Sequence, residues 1–135
     1  MNKKIVNDWL PVAIRALEHT GIANADGQIL KTCRNHISIF GTAVVMGSLK
    51  SAIAFFSGET KSEVDRESLL RAMYYVIHDM KSANDLANVD GKKIFAWVCG
   101  NDSRETREKF INASVALKLA MNFYELVDEK TYNRK

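Results

Sequence analysis

The chain has 135 residues, 47% hydrophobic and 26% charged, with a net charge of +3. That suffices for one domain with a core and is too apolar for a disordered chain. One proline and seven glycines exclude collagen-like and proline-rich architectures. No apolar run approaches the roughly 18–20 residues of a membrane span.

The opening Met1–Asp8 has too short an apolar stretch for a secretory signal. Cys33 and Cys99 lie far apart and form no Cys-x-x-Cys pair. A cytoplasmic protein with buried, reduced thiols is expected.

Helical periods dominate, and no strand is expected. Asp8 is a candidate N-cap for a first helix through Thr20, with Pro11 near its first turn and Gly21 as its stop. Whether residues 3–7 join that helix stays open. Asn24-Ala25-Asp26-Gly27 reads as a turn. From Gln28 to Met46, Leu30, Cys33, Ile37, Phe40 and Val44 recur at three- and four-residue steps, which predicts a buried helical stripe. Gly41 inside that helix suggests a close helix–helix approach.

Gly47-Ser48 breaks the pattern, and Ser48 caps a short helix through Phe56. Thr60–Glu63 has capping-box spacing before a helix reaching about Lys81, with Leu69, Leu70, Met73, Val76, Ile77 and Met80 inward. Ile94–Cys99 is a lone apolar run. A strand there would lack a ladder partner, so a short buried helix is expected. Asp102–Glu105 reads as a second capping box, opening a last helix that extends toward Tyr132. Its two apolar stripes, Phe110-Ala113-Leu117-Met121-Tyr124 and Ile111-Val115-Leu119-Phe123-Leu126, place it centrally. From about Asp128 the tail is polar and expected to fray. The fold class is therefore all-α: a single-domain bundle of five to six helices spanning residues 1–135. Met46, Met73, Met80 and Met121, with Trp9 and Trp97, are expected in the core or at subunit contacts.

Charge is unevenly spread. Residues 1–58 hold six Lys/Arg and three Asp/Glu, and the remainder holds thirteen of each. Between Gly27 and Gly58 there is no acid, while Lys31, Arg34 and Lys50 are present. Lys31 and Arg34 share a helical stripe with Asn35, Ser38 and Thr42, residue types that contact phosphates and sugar hydroxyls. Lys92, Lys93, Arg104 and Arg107 are further basic candidates, the last two with Glu105 and Glu108 as natural partners.

Catalytic signals are sparse. No Gly-x-Ser-x-Gly elbow, phosphate-binding glycine loop or paired zinc-ligand motif occurs. His78-Asp79 is the one enzyme-like dipeptide. Together with His36 and either Asp102 or Asp128 it spells the ligand set of metal-dependent helical phosphohydrolases, but His78 shares a polar helix face with Glu67 and Arg71 instead of pointing inward. No catalytic residue, metal site or cofactor is expected. Asn112-Ala113-Ser114 matches a glycosylation sequon in mid-helix.

Phe40-Gly41, then Gly47 and Leu49, then Ala54-Phe55-Phe56 follow one another in order. Leu69-Leu70 and Ala116-Leu117-Lys118-Leu119-Ala120 come later, and Ser48 is an extra residue at the break. This series resembles the small helical subunit of type III-B CRISPR effector complexes, the Cmr type. The resemblance implies a non-catalytic protein that stacks in several copies beside the crRNA-binding backbone subunits. There it lines the channel for target RNA, while cleavage belongs to the backbone subunits. Its partners would be the other subunits, copies of itself, crRNA and target RNA, with no membrane. The alternatives are a His-Asp phosphohydrolase and a helical adaptor that binds only proteins.

Overall fold

The computed structural model describes residues 1–58 and 65–132. Among them are six α-helices: α1 (Lys3–His19), α2 (Lys31–Met46), α3 (Leu49–Ser57), α4 (Arg66–Ile77), α5 (Gly91–Gly100) and α6 (Arg104–Ala120). Two short strands, β1 (Gln28–Leu30) and β2 (Glu125–Val127), and 3-10 turns at Ala83–Leu86 and Met121–Phe123 complete the elements of the described residues. The architecture is one compact, mostly helical domain.

Helix α6 packs against α1, α2 and α4, the central place its breadth predicts. In its first stripe Phe110, Ala113, Leu117 and Met121 are fully buried and Tyr124 is half-buried. The second is more open: Ile111 and Val115 are half-buried, and Leu119 and Phe123 are exposed. The α2 stripe of Cys33, Ile37, Phe40 and Val44 is buried as its spacing requires. The lone apolar run folds as α5, with Ile94 and Val98 inside.

The strands correct the sequence reading. Gln28–Leu30 does not form the first turn of α2, and Glu125–Val127 does not extend α6. They pair in parallel with Ile29 opposite Leu126, and Ile29 is fully buried. Each segment satisfies the other's backbone polar groups across the chain. Local periodicity carries no trace of so distant a partner. The turn before β1 is built as expected: Gly27 has φ 75°, and the Asn24 side chain accepts from the Asp26 and Gln28 N–H groups.

Helix ends shift for identifiable reasons. Asn2, not Asp8, caps α1, accepting from the Lys4 and Ile5 N–H groups. Its own N–H donates to Asn112 Oδ1 at 2.9 Å, tying the N-terminus to α6. Pro11 therefore lies inside α1, on its exposed side. Asn112 and Ser114 are both buried, so the sequon is not displayed. Ser48 caps α3 as expected. The Thr60–Glu63 box lies outside the described residues, and Asp65 caps α4. At α6 the cap is Ser103, accepting from the Thr106 N–H, so the box expected from Asp102 to Glu105 does not form. The tail from Asp128 to Tyr132 is anchored, not frayed. The Tyr132 hydroxyl donates to the Gly21 and Ile22 carbonyls, and Asp128 Oδ1 accepts from the Thr131 N–H at 3.0 Å.

Three further expectations change. A Cβ at Gly41 would meet nothing within 4 Å, so no close helix approach explains that glycine. Met46 is 83% exposed and stands outside the core, and Cys99 is exposed while Cys33 is buried. Met73 and Met121 are buried as expected.

Candidate nucleic-acid interface

The basic candidates fall into two groups. Lys50 and Arg107 are engaged in holding the fold. Lys50 Nζ lies 3.1 Å from Asp102 Oδ2, joining the start of α3 to the lead-in of α6. Arg107 donates to the Val44 carbonyl at 3.4 Å, in the last turn of α2. That carbonyl is one of the four a helix leaves without an internal donor. The expected pairing of Arg104 and Arg107 with Glu105 and Glu108 does not occur. Glu105 pairs with Lys109, and Glu108 lies beside the N-terminal ammonium.

The second group faces water. Lys31 opens α2, Lys92 and Lys93 lie in the first turn of α5, and Arg104 opens α6; all four are exposed. None of them enters an ion pair among the described residues. Arg34 is half-buried, one turn after Lys31. The hydroxyls of Ser38 and Thr42 turn back on their own helix, donating to the Arg34 and Ser38 carbonyls. This back-bonding takes their donors away from any ligand. The stripe read from α2 thus reduces to Lys31, Asn35 and the outer part of Arg34.

The acid-free stretch is acid-free only in sequence. Asp128 and Glu129 line one groove with Lys31, Thr32 and Lys130, because the β1–β2 pairing brings the tail across the start of α2. The Thr131 N–H and hydroxyl hold the Asp128 carboxyl below the usual range, and the Lys31 charge adds to that. A polyanion approaching Lys31 therefore meets a carboxylate that stays ionised, whereas α5 and α6 offer Lys92, Lys93 and Arg104 at their starts.

His78-Asp79 has a structural explanation. His78 is the C-cap of α4, its Nδ1 2.9 Å from the Tyr74 carbonyl. Its ring stacks on Tyr74 with centroids 4.0 Å apart and meets Trp97 edge-on at 5.0 Å. Asp79 follows at φ 48°, the one non-glycine residue with positive φ among those described. The Met80 N–H donates to the Tyr75 carbonyl and the Asp79 N–H to that of Val76, the two bonds of a Schellman motif. This motif ends α4 short of the expected Lys81. The Asp79 carboxylate is spread between Arg15 at 3.5 Å and Lys81 at 3.1 Å.

Nor is the polar face of α4 a solvated one. Arg71 donates to the Val89 and Leu86 carbonyls, and Glu67 accepts the Gly91 N–H. It is the seam that holds the Ala83–Leu86 turn and α5. Among the described residues no group of three or more His, Cys, Asp or Glu converges as metal ligands would.

The Schellman assignment makes a prediction. Asp79→Gly relieves the left-handed backbone, while it removes two exposed ion pairs worth about 0–1 kcal/mol each. Denaturant titration is expected to place Asp79→Gly within about 1 kcal/mol of the parent. Asp79→Val, with a β-branched side chain at positive φ, is expected to lose more than that. Equal losses in both would dismiss the cap.

Three residues of this surface escape a reading by charge pattern. Asp128 and Glu129 come to Lys31 only through the strand pairing. Phe55, 56% exposed, carries the Arg66 guanidinium 4.4 Å above its ring centroid. The available signal was that Phe55 falls off the stripe of Leu49, Ala52, Ile53 and Phe56.

No family model, curated protein or solved structure matches this chain. No helix among the described residues is long and apolar enough to cross a membrane.

Proposed function

We propose that this chain is a non-catalytic small subunit of an RNA-guided type III-B CRISPR effector complex. In that reading it stacks in several copies beside the crRNA-binding subunits and lines the path of target RNA. The ordered sequence resemblance supports the assignment to that complex. The observation that carries RNA contact is the exposure, without ion-pair partners among the described residues, of Lys92, Lys93 and Arg104. Such side chains release counterions from a phosphate backbone and need no base-specific geometry. A rigid bundle holds them at fixed separations, and the chemistry of RNA cleavage rests elsewhere in the assembly.

A protein-only adaptor is the competing reading, favoured by the exposed Ile39, Val45 and Met46 of α2. Target-RNA binding by the assembled complex, followed across a salt series, separates the two. Reversing Lys92, Lys93 and Arg104 together to Glu is expected to weaken binding. It should also flatten the slope of log K against log salt by up to about 2.1, the share of three single-strand phosphate contacts. Reversing Lys31 and Arg34, with Asp128 already beside Lys31, should change both less. Unchanged affinity and slope in the triple variant, with assembly intact, would leave the adaptor.

A further inference from the structure

We infer that the Phe55 ring, backed by Arg66, is a stacking platform for an unpaired nucleobase. The inference rests on the RNA-contact reading and adds to it a π-surface that charge alone does not supply. Helix α3 buries Leu49, Ala52, Ile53 and Phe56. Phe55 lies off that stripe and keeps 56% of its surface in water. The Arg66 guanidinium, 4.4 Å from its centroid, covers one face. Arg66 thus covers one face of the ring while more than half of the residue's surface stays in water.

The platform is held in place from both sides. Arg66 is the first residue of α4, directly after the Asp65 cap that accepts the Ser68 N–H. Phe55 also leans on the fully buried Phe56, with centroids 6.0 Å apart. Both partners therefore keep their orientation before any ligand arrives, which lowers the ordering cost of binding. The His36 ring packs edge-on to Phe56 at 6.4 Å, so the second turn of α2, with exposed Asn35, adjoins this end of α3.

An exposed aromatic ring with an arginine against it suits a single strand, whose bases stack in a sequence-tolerant way on such a surface. An apolar protein side chain would use the ring but not the cation. A base-paired duplex would have no open base to offer.

The test measures anisotropy of labelled single-stranded oligouridine, oligoadenosine and a duplex RNA with the purified full chain and its variants. Phe55→Ala is expected to weaken single-strand binding about 5- to 150-fold, with the salt slope unmoved and duplex binding unaffected. Phe55→Trp should restore binding. Phe55→Leu, which keeps apolar area without a π-face, should not. Arg66→Gln, which removes the cation behind the ring, should weaken single-strand binding about 2- to 5-fold with the slope unmoved. Salt-dependent single-strand binding that is indifferent to Phe55→Ala, or fully kept by Phe55→Leu, would overturn the platform and leave the RNA reading standing. Equal losses on duplex and single strand would overturn it as well. A parent protein with no single-strand binding would overturn the platform, while the RNA reading is decided on the assembled complex.

Discussion

Phe40→Ala is expected to cost about 3–5 kcal/mol of folding stability, a large part of what a domain of this size possesses. The ring is fully buried where α2, α3 and α6 meet. It packs edge-on against Phe56 at 5.3 Å and tilted against Phe110 at 6.3 Å. Truncation removes the transfer free energy of the ring and leaves a void walled by residues from two other helices. Those neighbours cannot collapse together without moving backbones, so the cavity cost persists. The two aromatic contacts add roughly 0.5–1.5 kcal/mol each beyond burial. In urea, the midpoint should fall with the slope unchanged, and Phe40→Leu should lose much less. A loss below about 1 kcal/mol for the alanine variant would mean that the three helices do not converge on this ring. The aromatic of the Phe40-Gly41 pair, part of the family resemblance, is thus a packing residue here. The RNA reading draws on the starts of α5 and α6.

Which parts of the fold were legible follows from range. The buried stripe of α2, the Ser48 cap and the helical nature of Ile94–Cys99 each depend on residues within a few turns, and the periodicity displays them. The β1–β2 pair, the Asn2–Asn112 bond and the seating of Tyr132 join segments roughly a hundred positions apart, and no local pattern encodes them. The candidate site divides the same way. Exposure of Lys92, Lys93 and Arg104 follows from helical phase. The capture of Lys50 by Asp102 and of Arg107 by the end of α2 depends on helix packing, as does the arrival of Asp128 beside Lys31. A basic residue counted as available in a sequence is often already in use once the chain closes.

Two glycines make the same point with opposite signs. Gly91→Ala is expected to destabilise the fold by about 1–3 kcal/mol, the range for overpacking a tight contact. A Cβ there would lie 2.5 Å from Ser57 Oγ, 2.8 Å from Ser57 Cβ and 3.1 Å from Glu67 Oε2. The nearest of these belong to a short side chain at the end of α3 that has little room to retreat. Its hydroxyl is held by a bond to the Ile53 carbonyl at 2.8 Å. Retreat of α5 instead would stretch the 3.0 Å bond from the Gly91 N–H to Glu67. Gly41→Ala, in the middle of α2 with open space at the Cβ, should gain up to about 1 kcal/mol from helix propensity alone. Paired thermal melts would show one variant falling and the other rising. The double variant Ser57→Gly with Gly91→Ala should recover much of the loss, because it removes the two nearest of these atoms. Failure of that rescue, or a Gly91→Ala variant as stable as its parent, would mean that α3 and α5 do not meet at this glycine.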